Sequence, residues 1–184
     1  ALSRMSNYLN KAEKFLIFNS MIMSHFNYCP LIWMFCSRTS NNRITKIHER
    51  SLRVLHQDED NDFNFLLEIN YDFTIHQRNN QALMIEGFKI KNDLTPPIMD
   101  SMLTERKNIY NLRNFQEFET EKKRTINYGL ESFSYRSPQL WKTLPKELKD
   151  TNILVQFENK IKSWTCPNCP CRLCKIFLPN LGYL

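Results

Sequence analysis

Glycine is nearly absent: the chain of 184 residues has three, Gly87, Gly129 and Gly182. A P-loop, a dinucleotide fingerprint and a G-x-S-x-G nucleophile elbow each need clustered glycines, where the backbone turns sharply or approaches a ligand closely. Three scattered ones build none of these. Acidic residues are also in deficit, with 19 Asp and Glu against 25 Lys and Arg and a formal charge of +6. That balance points mildly toward polyanions and away from acidic partners. The four histidines, His25, His48, His56 and His76, form no H-x-x-x-H pair and have no carboxylate at a ligand spacing. They read as core or surface residues. No nucleophile and base stand in the arrangement a hydrolase needs. Internal repeats and low-complexity blocks are missing too. The hydrophobic fraction of 42% and charged fraction of 24% are ordinary for a globular chain long enough to bury a core.

One run lacks charge altogether. From Phe15 to Cys36 there is no Lys, Arg, Asp or Glu, a length that suffices to span a bilayer. It carries Asn19, Ser20, Ser24, His25, Asn27 and Pro30, however, and polar groups are costly in hydrocarbon. The expectation is a fully buried helix of a soluble core and no membrane partner. Six cysteines without a signal peptide argue for a reducing setting inside the cell, nuclear or cytoplasmic.

Helical spacing is present from the start, at Leu2, Met5 and Leu9, with no capping residue ahead of it. A chain that opens inside a helix is expected to be an excerpt of a longer one. A long apolar helix should run from Lys11 to about Tyr28 and break or kink at Pro30. A second helix is expected from about Ser40 to Gln57, and a third from about Phe63 to Ile69, before the turn "NYDFT". A fourth should run from Ile75 to about Leu94 and stop at Pro96-Pro97. Its turns are marked by Ala82, Ile85, Phe88 (or Lys89) and Asn92, with Leu83 and Ile90 widening the stripe. After Thr104 the texture changes. "NIYNLRNFQEFETEKKRTINYGLESFSYRS" mixes aromatics and charges without helical period and reads as extended segments and turns. "SPQLWKTLP" predicts a short helix bounded by Pro138 and Pro145, and "NILVQFENKIKSW" a last amphipathic helix. The fold class expected is mainly α. It divides into a helical region 1–104, a region 105–165 of extended segments and short helices, and a Cys-rich tail 166–184.

The second helix carries the sharpest electrostatic pattern. Arg43, Lys46, Arg50 and Arg53 recur at spacings of three, four and three and share one helix face. An apolar stripe of Ile44, Ile47, Val54 and Leu55 flanks them. Such a helix can pack on a core with one side and track a phosphate backbone with the other. The plainer reading is a solvated face, and only Glu49 opposes these cations locally. "DEDND", Asp58 to Asp62, reads as a solvated loop rather than a magnesium site. Trp141, between two prolines and beside Tyr135, Arg136 and Lys142, reads as an anchor to a core more than as a base-stacking platform. Cys166, Cys169, Cys171 and Cys174 form C-x2-C-x-C-x2-C. Thiolates in a reducing compartment favour zinc over disulfides. Yet zinc knuckles are commonly joined by roughly a dozen or more residues, and here Pro170 alone separates them. Three local thiolates plus a ligand from elsewhere, or from a partner chain, are as open as four thiolates on one ion, and the plainer reading is a reduced tail with no metal.

Several segments resemble a known family. "HFNYCPLIW", "ITKIHERSLRVL", "TIHQRNNQALMIEGFKIKNDLTPPIM", "YNLRN", "YGLESFSYRSPQLWKTLP" and "FENKIKSWTCPNCPCRLCK" occur in an order similar to the C-terminal part of non-LTR (LINE, jockey-like) retrotransposon reverse transcriptases. The resemblance covers nearly the whole chain, and is most specific from Ile75 to Met99 and in "YRSPQLWKTLP". It implies a helical thumb-like bundle that grips a template–primer duplex, and the segment beyond it. The implied partners are an RNA/DNA hybrid or other duplex and the upstream palm and fingers of the polymerase. For the tail it favours Cys169, Cys171 and Cys174 over Cys166. By their chemistry alone, Arg172, Lys175 and Trp164 nearby would suit a small knuckle on nucleic acid. The paired aspartates that hold two metal ions for phosphoryl transfer are missing, as is the family's Y/F-x-D-D turn, so the chain is expected to catalyse nothing alone. Two alternatives from other classes are a remnant of a decayed element and a zinc-dependent protein-interaction module.

Overall fold

The computed structural model describes residues 2–57, 60–106, 117–120, 123–125, 129–166 and 169. The described residues are mainly helical and contain no strand; one isolated antiparallel bridge joins Glu105 to Phe118. The chain divides into two compact units, Ala1–Asn79 and Asn80–Leu184, and the division falls within the helix Ile75–Lys91 rather than at a change of texture.

In the first unit, short helical turns at Leu2–Met5 and Ser6–Tyr8 precede a helix from Lys11 to Asn27 built in three pieces. Asn10 and Glu13 start it with a reciprocal capping box. The Asn10 side chain accepts from the Glu13 amide at 2.9 Å, and the Glu13 carboxylate accepts from the Asn10 amide at 2.8 Å. Between Phe18 and Met23 the helix widens into a π turn. There Ser20 and Ser24 donate to carbonyls one turn back, at 2.7 and 2.6 Å, a competition that loosens regular α-helix. The helix stops at Cys29, in the left-handed region at φ 45°, and Pro30 opens the short helix Pro30–Trp33. Trp33 Nε1 donates back to the Tyr28 carbonyl at 2.9 Å and closes that corner.

The charge-free run is not the fully buried helix its composition suggested. Phe18, Met23 and Met34 are buried, but Leu16, Met21, Tyr28 and Ile32 are 64–78% exposed. A single helix against a small core can hide only one stripe, and this run is apolar around most of its circumference. No helix among the described residues is long and apolar enough to cross a membrane.

The helix Arg38–His56 begins two residues earlier than its periodicity suggests. Ser37 caps it by accepting from the Ser40 amide at 3.3 Å, and it ends at Gln57, left-handed at φ 53°. The short helix Phe63–Ile69 follows. The core is Phe18, Met23, Leu52, Leu55, Leu66, Leu67 and Ile75, with Ile22, Phe26, Trp33, Ile44 and Phe63 against it.

The second unit is built on the remainder of the Ile75–Lys91 helix. Leu83, Met84, Phe88 and Ile90 are buried there, with Asn80 and Gln81. Of the expected stripe, Leu83, Phe88 and Ile90 are thus buried, whereas Ala82 and Ile85 are only half-buried. Phe88 stacks on Phe157 with ring centres 4.3 Å apart, and Phe157 stacks in turn on Trp141 at 6.1 Å. Phe118 meets Trp141 edge-on at 5.5 Å. The expected extended region is helical in part: a helix runs from Phe133 to Lys142 and contains Pro138 instead of starting at it. Proline there removes one backbone donor, but Arg136, Ser137, Leu140 and Trp141 are buried by that helix, and packing overrides propensity. The last helix among the described residues is Leu154–Ile161, with Phe157 and Ile161 buried. "YNLRN" lies outside the described residues, as do Asp58, Glu59, Cys171, Arg172, Cys174 and Lys175.

Candidate nucleic-acid interface

The cations of the Arg38–His56 helix are positioned by what that helix buries. Its inward residues are His48, Ser51, Leu52 and Leu55, with Ile44 half-buried. At 3.6 residues per turn, Arg43, Lys46 and Arg50 then fall on the outward face, and all three are exposed. None of them has an ion-pair partner among the described residues. Arg53 is different. Its Nε and Nη2 donate to Glu49 Oε1 at 3.3 and 2.8 Å, and its Nη1 donates to the Asn61 carbonyl at 2.9 Å. The stripe therefore presents three outward charges and one that is locally tied. Its apolar flank needs correction as well. Ile47 is 54% exposed, and His48 occupies the inward position assigned to it.

Two polar centres were not anticipated. The first surrounds His48, which is 0% exposed and walled by Phe18, Phe26 and Phe63 with ring centres at 6.4, 5.9 and 5.7 Å. Its Nε2 lies 3.5 Å from Asp72 Oδ2, an ion-pair distance; neither ring nitrogen makes a hydrogen bond among the described residues. Asp72 Oδ1 accepts from both the Nε (at 2.7 Å) and the Nη2 of Arg78, and from the Phe73 amide at 2.6 Å. Burial pushes the Asp72 carboxyl up, but His48, Arg78 and the Phe73 amide outweigh it and hold the carboxyl below its ordinary range. The legible signal was the register Ile44–His48–Leu52, four residues apart, which puts the histidine on the core face. Nothing local marks Asp72 as its partner.

The second centre is Glu117. Its Oε2 accepts from Trp141 Nε1 at 2.9 Å and from Lys91 Nζ at 2.7 Å, while Oε1 lies 3.7 Å from Lys149 Nζ. Lys91 also sits 5.3 Å from the centre of the Trp141 ring. Burial raises the Glu117 carboxyl, and Lys91, Trp141 and Lys149 together pull it below its ordinary value. Trp141 is 1% exposed, so it serves as the structural anchor expected of it.

Of the four tail cysteines, Cys166 and Cys169 are described. Cys166 Sγ lies 3.7 Å from Thr143 Oγ1, and Cys169 Sγ accepts from Asn80 Nδ2 at 3.4 Å. Among the described residues no group of three His, Cys, Asp or Glu converges as a metal site would require. The remaining thiols of the proposed set, Cys171 and Cys174, lie outside those residues. No family model, curated protein or solved structure matches the chain.

Proposed function

We propose that this chain is a non-catalytic, duplex-gripping part of a non-LTR retroelement RNA-directed DNA polymerase, its thumb and the segment beyond. What supports the reading most directly is the outward row of Arg43, Lys46 and Arg50 on a helix whose opposite face is fixed in a core. Cations held on a rigid helix meet successive phosphates without first being ordered, and each contact releases counterions. The ordered motifs from His25 to Lys175 add the family, and the lack of paired aspartates removes the chemistry. The palm and fingers of the parent polymerase are then the chain's protein partners, and an RNA/DNA hybrid or other duplex its ligand.

Binding of a fluorescent RNA/DNA hybrid across a salt series tests this. The affinity should correspond to a Kd of roughly 10⁻⁴–10⁻⁶ M at physiological salt, and log K should fall linearly with log salt, independently of sequence. Lack of binding at low salt by the folded chain overturns the reading.

A further inference from the structure

The row of cations ends at a recess. At the last turns of the Arg38–His56 helix, a cavity of about 570 Å³ is lined by Arg50, Arg53, Val54 and Gln57 and faced by Ser3, Ser6 and Asn7 from the opening turns of the chain. Its chemistry is specific. Arg53 is already braced by Glu49 and the Asn61 carbonyl, while Arg50 has no ion pair among the described residues. Two side-chain amides and the Ser3 hydroxyl add neutral donors. The Ser6 hydroxyl donates to the Ser3 carbonyl at 3.0 Å, which ties the opening turn together beside the recess. The C-terminal end of a helix carries partial negative charge, which disfavours anions there. An anion seated there must draw enough from the Arg50 and Arg53 guanidinium groups and the neutral donors to outweigh that end. A tetrahedral oxyanion, with acceptors on every side, engages both kinds of donor at once.

We propose that this recess seats one phosphate group, continuing the Arg43–Lys46–Arg50 track around the helix onto Ser3 and Asn7. As a backbone phosphate of nucleic acid it rests on the function proposed above; as a free phosphate it does not. Ser3 and Asn7 are exposed and uncharged, so truncating them separates a seat from a general electrostatic attraction. In duplex titrations with the full chain, Ser3→Ala and Asn7→Ala should each weaken binding roughly two- to tenfold at an unchanged salt slope. Arg50→Ala should weaken binding and also reduce the slope, by about 0.7–0.9. If the two neutral variants bind like the parent while Arg43→Ala and Lys46→Ala bind less tightly, the seat is overturned and the duplex reading stands. If the parent binds no duplex, that reading falls, and thermal stabilisation by inorganic phosphate against chloride at equal ionic strength decides the seat. Stabilisation lost in Asn7→Ala and Arg50→Ala upholds a seat for free phosphate; its absence in the parent removes the seat as well.

Discussion

Two residues concentrate the consequences of burial in this molecule. Trp141 packs against Phe118 and Phe157 and donates to Glu117. Trp141→Ala should therefore cost roughly 3–5 kcal/mol from the lost ring. Trp141→Phe keeps much of the volume and should cost less, mainly by removing one of the two donors, Trp141 and Lys91, from which Glu117 Oε2 accepts. Thermal or urea unfolding of the two variants measures the difference, and an Ala variant as stable as the parent would refute the anchoring role. Asp72 makes the pH-dependent counterpart. Its carboxyl is held below the ordinary value in the fold, so the unfolded chain binds its proton more readily. The stabilisation is complete above the unfolded pKa, near 3.8, and is lost as pH falls through the lower folded value. Asp72→Asn should destabilise by at most about 3–5 kcal/mol at neutral pH. The figure is an upper bound because the Arg78 side chain is 35% exposed and stays partly hydrated when its partner is lost. The gap between parent and variant should narrow in unfolding curves taken below about pH 4. A gap constant down to the acid limit would show that Asp72 carries no linked proton.

At the scale of elements, a close approach between two helices sets a sharp constraint. A Cβ added at Gly87 would lie 2.9 Å from the Ser137 hydroxyl, with Leu103 and Trp141 atoms at ordinary contact beyond. Ser137 is fully buried, and its hydroxyl has no hydrogen-bond partner among the described residues. Alanine would gain roughly 1 kcal/mol of helix propensity over glycine in an unconstrained helix. Here the overlap should reverse that sign and lower the melting temperature. Ser137→Ala removes the offending atom and an unsatisfied polar group together. The double variant should accordingly be at least as stable as the parent, and a double variant no better than Gly87→Ala would exclude the contact as the cause. The Arg38–His56 helix carries the element-scale prediction for function. Alanine at Arg43, Lys46 or Arg50 should each lower the salt slope of duplex binding by about 0.7–0.9. Arg53→Ala should lower it less, because Glu49 already engages that guanidinium. Equal effects at all four positions would mean that the Glu49 pair opens on binding.

For the whole molecule, the proposal is that gripping and chemistry reside in different parts of a longer polymerase. Phosphoryl transfer by two metal ions needs paired carboxylates on a rigid support; the sequence has no Y/F-x-D-D turn, and its "QDED" lacks the hydrophobic lead-in of one. The isolated chain should incorporate no nucleotide with any template, primer or divalent metal, as followed by extension of a labelled primer. Extension by a clean preparation would require a catalytic centre that this sequence does not reveal. The division into Ala1–Asn79 and Asn80–Leu184 assigns the outward cations to the first unit and the Glu117–Trp141 centre to the second. Variants of the latter should therefore alter stability while leaving the salt slope unchanged.

Periodicity alone determined the mainly helical class, the helix Phe63–Ile69 and the approximate extent of the Arg38–His56 and Ile75–Lys91 helices, because these follow from local spacing and from stops such as Pro96. It also placed Arg43, Lys46 and Arg50 on one face, since helical geometry needs no tertiary partner. Tertiary packing decided the rest. His48 displaced Ile47 from the core because three aromatic rings and Asp72 close around it. The helix at Phe133 runs through Pro138 because Arg136, Ser137 and Trp141 are buried when it does. Asp72 and Glu117 looked like ordinary loop acids, for their partners at His48, Lys91 and Trp141 are distant in sequence. Local pattern records which residues share a helix face; only the folded chain decides which of them are buried and brings distant charges close enough to shift one another.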